Sequence, residues 1–141
     1  YGGQEAAVAA SVITYYLQGV PMLYCGQEVG VSSAGAYSGS INWTINPNIY
    51  AQYKSILQFY KNSNALRNGT LQTYPNANVA IFKKYTTDET VLTIVNARNL
   101  NQTIAIDATL QGDWINAITN EQITLSATMD LLPYQYLILK K

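Results

Sequence analysis

The chain contains no histidine, so whatever acid–base or nucleophilic chemistry it could perform rests on eight carboxylates and one thiol. That excludes Ser-His-Asp and Cys-His nucleophiles, the His-Glu-x-x-His zinc motif and an imidazole base. A lone cysteine, Cys25, excludes a Cys/His structural zinc site and an internal disulfide. Cys25 ends an apolar run with no basic residue beside it, which predicts a small buried hydrophobe rather than an activated thiolate. Among the carboxylates, Glu5 opens a predicted helix, and Asp88, Glu89, Asp113 and Glu121 fall in predicted turns, where acidic residues are expected. Asp107 lies in a predicted strand and Asp130 near a strand end, each without a partner close in sequence. Only Glu28 stands where a site would be. It follows Gln27 just past the glycine that ends the apolar run Val20–Tyr24. A polar pair beyond the C-terminal end of a strand is where parallel α/β sheets and barrels place ligands. One carboxylate is not an acid/base pair, and the reading for Glu28 is an orienting or structural role.

The elements that must hold this pair are legible around it. Residues 4–17 are rich in alanine with few polar positions, which predicts a helix buried over much of its surface, with Glu5 suited to its N-terminal dipole and Gly19 to its stop. Val20–Tyr24 then has the length and composition of a buried strand, with Pro21 confined to its start or a bulge. Helix followed directly by buried strand is the order of a parallel sheet. Val31–Asn46 is a long loop rich in Ser, Gly and Ala, with Ile41-Asn42-Trp43 as its apolar anchor. Trp43 is expected to pin this loop to the core, the other reading being a surface on which a sugar ring stacks. Asn46-Pro47 has the form of a helix start, Asn as N-cap and Pro at the first helical position, for a helix reaching about Ala65 with an apolar stripe through Ile49/Tyr50, Tyr53, Ile56/Leu57 and Tyr60.

Past Arg67–Gly69 the texture changes to eight short β-rich runs, 70–74, 79–86, 90–97, 103–108, 114–119, 122–125, 129–132 and 134–140. Turn residues separate them at the spacing of a meander or Greek key. Val91–Val95 and Tyr136–Leu139 are apolar on both faces and should be central strands. The expected fold class is therefore α+β in two parts: residues 1–68, helix–strand–loop–helix, and residues 69–141, an antiparallel all-β sandwich. The first part is expected to be incomplete by itself, since a single buried strand leaves its backbone groups without partners. Formal charge is zero with few charged residues, which gives no grip on nucleic acid or anionic lipid, and no apolar run is long enough to span a bilayer. Asn-x-Ser/Thr triplets at Asn42, Asn68 and Asn101 matter only in a host that glycosylates secreted proteins.

The motif Gly19-x-Pro21-x-x-Tyr24-x-Gly26-Gln27-Glu28 behind an alanine-rich helix resembles the eighth barrel strand of the α-amylase family, glycoside hydrolase family 13. Ile41-Asn42-Trp43 resembles the family's Ile-Asp-Trp loop segment, with Asn42 in place of Asp. Residues 53–57 and 64–69 resemble the last barrel helix and its exit, and residues 91–96 and 132–139 resemble strands of the C-terminal sandwich called domain C. The likeness covers essentially the whole chain, and most closely resembles secreted enzymes of Bacteroidetes-type bacteria. It implies the end of a (β/α)8 barrel followed by domain C, in the C-terminal part of a retaining enzyme that acts on starch and maltooligosaccharides.

In this family the two reacting carboxylates, a third acidic residue and a His-Asp pair lie upstream of the helix at Gln4. The resemblance thus implies no catalytic residue in these 141, with Gln27, Glu28 and Trp43 as candidates for the rim of the substrate face. It implies no cofactor or metal here, any calcium site of the family falling upstream. The implied partners are the remainder of the barrel and, through the parent enzyme, an α-glucan, with a secreted, periplasmic or cell-surface setting. The alternative is a non-catalytic carbohydrate-binding or interaction module whose sugar platform is drawn from Trp114, Tyr74 and Tyr85.

Overall fold

A computed structural model describes residues 3–31 and 40–141. Helix α1, Gln4–Tyr16, is followed by a 3-10 turn at Gln27–Val29, helix α2 at Pro47–Asn62 and the short helix α3 at Asn64–Asn68. Eight strands follow: β1 Thr70–Thr73, β2 Ala80–Tyr85, β3 Thr90–Val95, β4 Gln102–Ala105, β5 Gly112–Asn116, β6 Gln122–Leu125, β7 Thr128–Leu131 and β8 Tyr136–Lys140. Six form one antiparallel sheet in the order β1-β2-β3-β8-β5-β6, and β4 pairs with β7 in a second. All eight predicted runs overlap a strand. The fold is α+β, with mostly antiparallel sheet.

The six-stranded sheet is covered on both faces, and its register explains how. Ile81, Ile94 and Leu137 stand in line across three strands, as do Leu92 and Leu139, and these side chains pack against Ile104, Ile106 and Leu131 of the smaller sheet side. One residue out of phase, Phe82, Val91, Val95 and Ile138 face the helices and meet Val12, Tyr16, Tyr53, Ile56 and Leu66. The period of two along each strand therefore feeds two cores from one sheet. β3 is buried almost throughout, as its doubly apolar sequence predicts.

The helical part is joined to the sheet at α3. Ser63 breaks the predicted single helix: its backbone is extended, and its hydroxyl accepts from the Leu66 amide as the N-cap of α3. A Glu89 carboxylate oxygen accepts from the Ala65 amide at 2.8 Å, placing negative charge at the helix start. Lys84, buried on β2, donates its ammonium to the Leu66 carbonyl, placing positive charge toward the helix end. Burial lowers the Lys84 pKa below its ordinary value. Gly69 then passes so close to the Ala65 and Tyr85 carbonyls that no side chain fits between them.

Val20–Tyr24 departs from expectation. The segment forms no strand, and Val20 and Met22 are 92% and 78% exposed. Among the described residues no strand pairs with Val20–Leu23, so the apolar character of Val20 and Met22 brings no burial. Cys25, predicted buried, is exposed for the same reason. Asp107, predicted in a strand, instead caps the 3-10 turn Ala108–Leu110, accepting from the Thr109 amide and hydroxyl, which holds its carboxyl below the ordinary range. Among the described residues no helix is long and apolar enough to cross a membrane.

Candidate functional site

Two glycines with left-handed backbone bracket the 3-10 turn that carries Gln27 and Glu28. Gly26 has φ 85° and Gly30 φ 71°, conformations that cost a side chain free energy. Between them the chain closes on itself through Gln27 N–H to Tyr24 C=O at 2.9 Å and Val31 N–H to Gly26 C=O at 3.0 Å. The spacing Gly-x-x-x-Gly in Gly26–Gly30 is thus the condition for the turn, which sets the polar pair against the helices.

Gln27 is fully engaged. Its Nε2 donates to Ser11 Oγ at 2.8 Å and to Tyr53 Oη at 3.2 Å, and its Oε1 accepts from the Tyr24 amide at 3.2 Å. Ser11 Oγ in turn donates to the Ala7 carbonyl at 2.7 Å and lies 3.1 Å from Tyr53 Oη. One side chain therefore ties the turn to α1 and α2 together. Tyr15, packed in the same interface, has its hydroxyl pushed up to about 12 by burial, with Tyr53 and Glu28 adding to the rise and Ser11 opposing it. Ser11 and Tyr53 escaped the sequence reading. The only signal for Ser11 was a hydroxyl inside an apolar helix face; Tyr53 was indistinguishable from a packing aromatic.

Glu28 is half-buried beside a groove of about 430 Å³ whose lining includes Leu23, Tyr53, Leu57, Lys54 and Lys61. Its Oε2 is shut away from solvent and has no hydrogen-bond partner among the described residues. Trp43, expected to pin the loop, is 53% exposed. The neighbouring Asn42 uses its Oδ1 to accept from the Thr44 amide and hydroxyl at 3.1 and 2.9 Å, a local turn that an amide makes as well as a carboxylate. Asn46 starts α2 without capping it: its Nδ2 donates to the Val29 carbonyl at 2.6 Å, holding the helix start to the glycine turn. Residues 32–39 of the predicted loop lie outside the described residues.

The three aromatics of the alternative reading are dispersed. Trp114 is a core residue, 3% exposed, with Nε1 donating to the Leu110 carbonyl at 2.8 Å. Tyr74 is half-buried, and the Lys83 ammonium lies 5.8 Å from its ring and 5.4 Å from that of Tyr85. Of the three, only Tyr85 is exposed. Among the described residues no three His, Cys, Asp or Glu side chains gather as metal ligands would.

No family model matches the chain. Its fold, however, recurs in solved structures. AmyP in complex with maltose matches 97% of the chain with a TM-score of 0.83 at 16% identity. A maltogenic amylase from S. marinus matches 96% at TM-score 0.77 and 18% identity. A trehalose-6-phosphate hydrolase from Bacillus licheniformis matches 96% at TM-score 0.77 and 16% identity. The chain spans only 34%, 19% and 38% of those proteins. At such identities what is shared is the fold, α-helical segments and antiparallel sheets in one arrangement.

Proposed function

We propose that these residues are the C-terminal part of an α-glucan-active retaining glycoside hydrolase of the α-amylase family. In this reading residues 1–68 supply the last strand and flanking helices of a (β/α)8 barrel, and residues 69–141 are domain C. The observation that carries it is Val20–Leu23. Among the described residues these four make no backbone hydrogen bond, and they lie in the chain between two helices as the last barrel strand of that family does. Val20 and Met22 are the most exposed, Leu23 is also exposed, and Pro21 is half-buried. An interior barrel layer would cover the first pair. The fold shared with AmyP, whose structure holds maltose, supports the substrate class.

The chemistry of this class needs two carboxylates about 5 Å apart on either side of the glycosidic bond. Glu28 is the single acidic side chain at the turn, so the reacting pair belongs to the strands that precede it, and this part closes the wall. Gln27 serves as the clamp of the last strand, and Trp43 stands exposed near the rim. An extracytoplasmic setting fits an enzyme whose polymeric substrate does not cross membranes.

The test is to read and express the coding sequence upstream of Tyr1. The longer protein should contain barrel strands with an Asn-His-Asp-like motif and release reducing ends from maltooligosaccharides, while residues 1–141 alone release none. Absence of barrel strands upstream, or hydrolysis by residues 1–141, overturns the reading.

A further inference from the structure

We infer that Tyr15 and Glu28 form an internal lock: the Tyr15 hydroxyl is the donor to the Glu28 carboxylate, directly or across one enclosed water, and the pair holds the glycine turn against α1. The inference concerns this chain alone and stands whether or not the function reading does. Glu28 Oε2 and Tyr15 Oη are both shut away from solvent, and neither has a hydrogen-bond partner among the described residues. One is an acceptor lacking a donor and the other a donor lacking an acceptor, and each alone is costly to bury. They belong to one enclosure. Tyr15 is 2% exposed on α1, its ring centroid stands 6.4 Å from that of Tyr53, and the groups that act on its hydroxyl are Ser11, Tyr53 and Glu28.

Counting donors and acceptors singles out the pair. Ser11 Oγ gives its proton to the Ala7 carbonyl, and it meets Gln27 Nε2 at 2.8 Å and Tyr53 Oη at 3.1 Å as an acceptor. Both of its lone pairs are then occupied, and Ser11 has nothing left for Tyr15. The Tyr53 proton is committed to Ser11, and the Tyr53 oxygen already accepts from Gln27 Nε2 at 3.2 Å. The strong acceptor that remains is the Glu28 carboxylate. Spacing along the chain supplies the geometry. Ser11 and Tyr15 are four residues apart on one face of α1, and helical side chains lean toward the N-terminus, which carries the Tyr15 hydroxyl back toward Ser11. Gln27 and Glu28 are adjacent on a turn that Gly26 and Gly30 hold fixed, so the bond from Gln27 to Ser11 carries Glu28 toward the same face. Lys54 and Lys61 line the neighbouring open groove, and neither is bonded to the enclosed oxygen. The two polar residues of the turn are then two bolts of one closure, Gln27 to Ser11 and Tyr53, Glu28 to Tyr15.

The experiment is a double-mutant cycle of Tyr15→Phe and Glu28→Leu in residues 1–141, read by urea unfolding. Each single change leaves one buried group without its partner. It should shift the equilibrium toward the unfolded state by about tenfold to a hundredfold, the size of a charged hydrogen bond, with Glu28→Gln recovering part through its amide oxygen. The double variant removes both partners and should be no less stable than the less stable of the two singles. In the proton NMR spectrum the Tyr15 hydroxyl should exchange slowly with water, and Glu28→Leu should abolish that protection. Losses that multiply in the double variant to within about twofold show two independent groups and overturn the inference. So does a Tyr15→Phe protein as stable as the parent or more so, the behaviour of a hydroxyl with no partner to lose. A Tyr15 hydroxyl that exchanges alike with and without Glu28 overturns it too, as does a Glu28→Leu loss cancelled by Lys54→Met or Lys61→Met and not by Tyr15→Phe, which assigns the carboxylate to a lysine.

Discussion

Replacing Gly69 by alanine drives a methyl group into two backbone carbonyls. A Cβ at Gly69 would press into the Ala65 oxygen and stand 2.8 Å from the Tyr85 oxygen, so something must shift. The φ of −73° is open to any residue, so the cost is steric. Neither oxygen is free to retreat. Ala65 C=O accepts from the Gly69 amide at 2.8 Å, and Tyr85 is paired with Thr70 in the β1–β2 ladder. Relief requires α3 to move off the sheet, which pulls on the Glu89 and Lys84 bonds to its backbone. Overpacking costs about 1–3 kcal/mol, and loss of one charge-assisted hydrogen bond about 1.5–3 kcal/mol. The sum is about 2.5–6 kcal/mol, which at roughly 2–4 °C per kcal/mol lowers Tm by about 5–24 °C. Urea unfolding followed by fluorescence of the buried Trp114 measures it. Gly112→Ala is the control, because Gly112 has φ 101° but open space around its would-be Cβ, and pays only backbone strain of about 1–2 kcal/mol. A Gly69→Ala protein within about 0.5 kcal/mol of the parent, or no worse than Gly112→Ala, refutes the steric argument.

Four further outcomes can be checked. Ser11→Ala removes a shared partner of Gln27 and Tyr53 and should cost about 1–2 kcal/mol in urea unfolding; no loss would mean the clamp is solvated. Burial holds the Tyr15 hydroxyl up to about 12 in the fold against about 10 unfolded, so the unfolded chain loses its proton first and stability falls as pH rises from 10 to 12. Burial raises Tyr16 and Tyr136 in the same direction, whereas the lowered pKa of Lys84 makes its contribution grow with pH up to 10.5; tyrosinate absorbance rising in full near pH 10 with the fold intact would contradict this. Residues 1–141 should self-associate with rising concentration in sedimentation, and Met22→Lys should suppress it, since lysine blunts an open edge. Insoluble starch should not retain residues 1–141, because Trp114 is in the core; retention lost on Tyr85→Ala would restore the platform.

The β half was legible because its information is local. Each strand announces itself by a short apolar or β-branched run between turn residues, and β3 by apolarity on both faces, so tertiary structure only had to agree with it. The misreadings share one cause: the partner of a side chain is chosen by non-local geometry. Asn46-Pro47 has the form of a cap and Pro47 does begin the helix, yet the Asn46 amide finds the Val29 carbonyl 17 residues back. Trp114 was open to two readings because a strand tryptophan is inward or outward according to a register that the smaller sheet decides. Gln27 stood out as polar and well placed, but whether its amide meets a ligand or the helices depends on Ser11 and Tyr53, 16 and 26 residues away. Val20–Tyr24 has the composition of a buried strand, and composition records what a segment is fit to meet rather than what stands beside it.

That segment is held open at some cost, and the way it is held bears on its role. On one side the Tyr60 hydroxyl donates to the Gly19 carbonyl at 3.3 Å, just after α1 ends; on the other the Gln27 amide closes onto Tyr24 at 2.9 Å. Between these anchors Val20–Leu23 makes no hydrogen bond among the described residues. Ordering four residues costs about 1–2 kcal/mol each in backbone entropy, with no ladder bond to offset it. Pro21 reduces that cost before any partner arrives, fixing its own φ and biasing Val20 toward extended conformations. A strand ordered in advance surrenders less entropy when it pairs, so more of each new hydrogen bond appears as binding free energy. In the proposed barrel the two helices and the glycine turn therefore act as a frame that presents one preformed stave, and the rigidity of Gln27 matters because it sets the height of that stave against its neighbours.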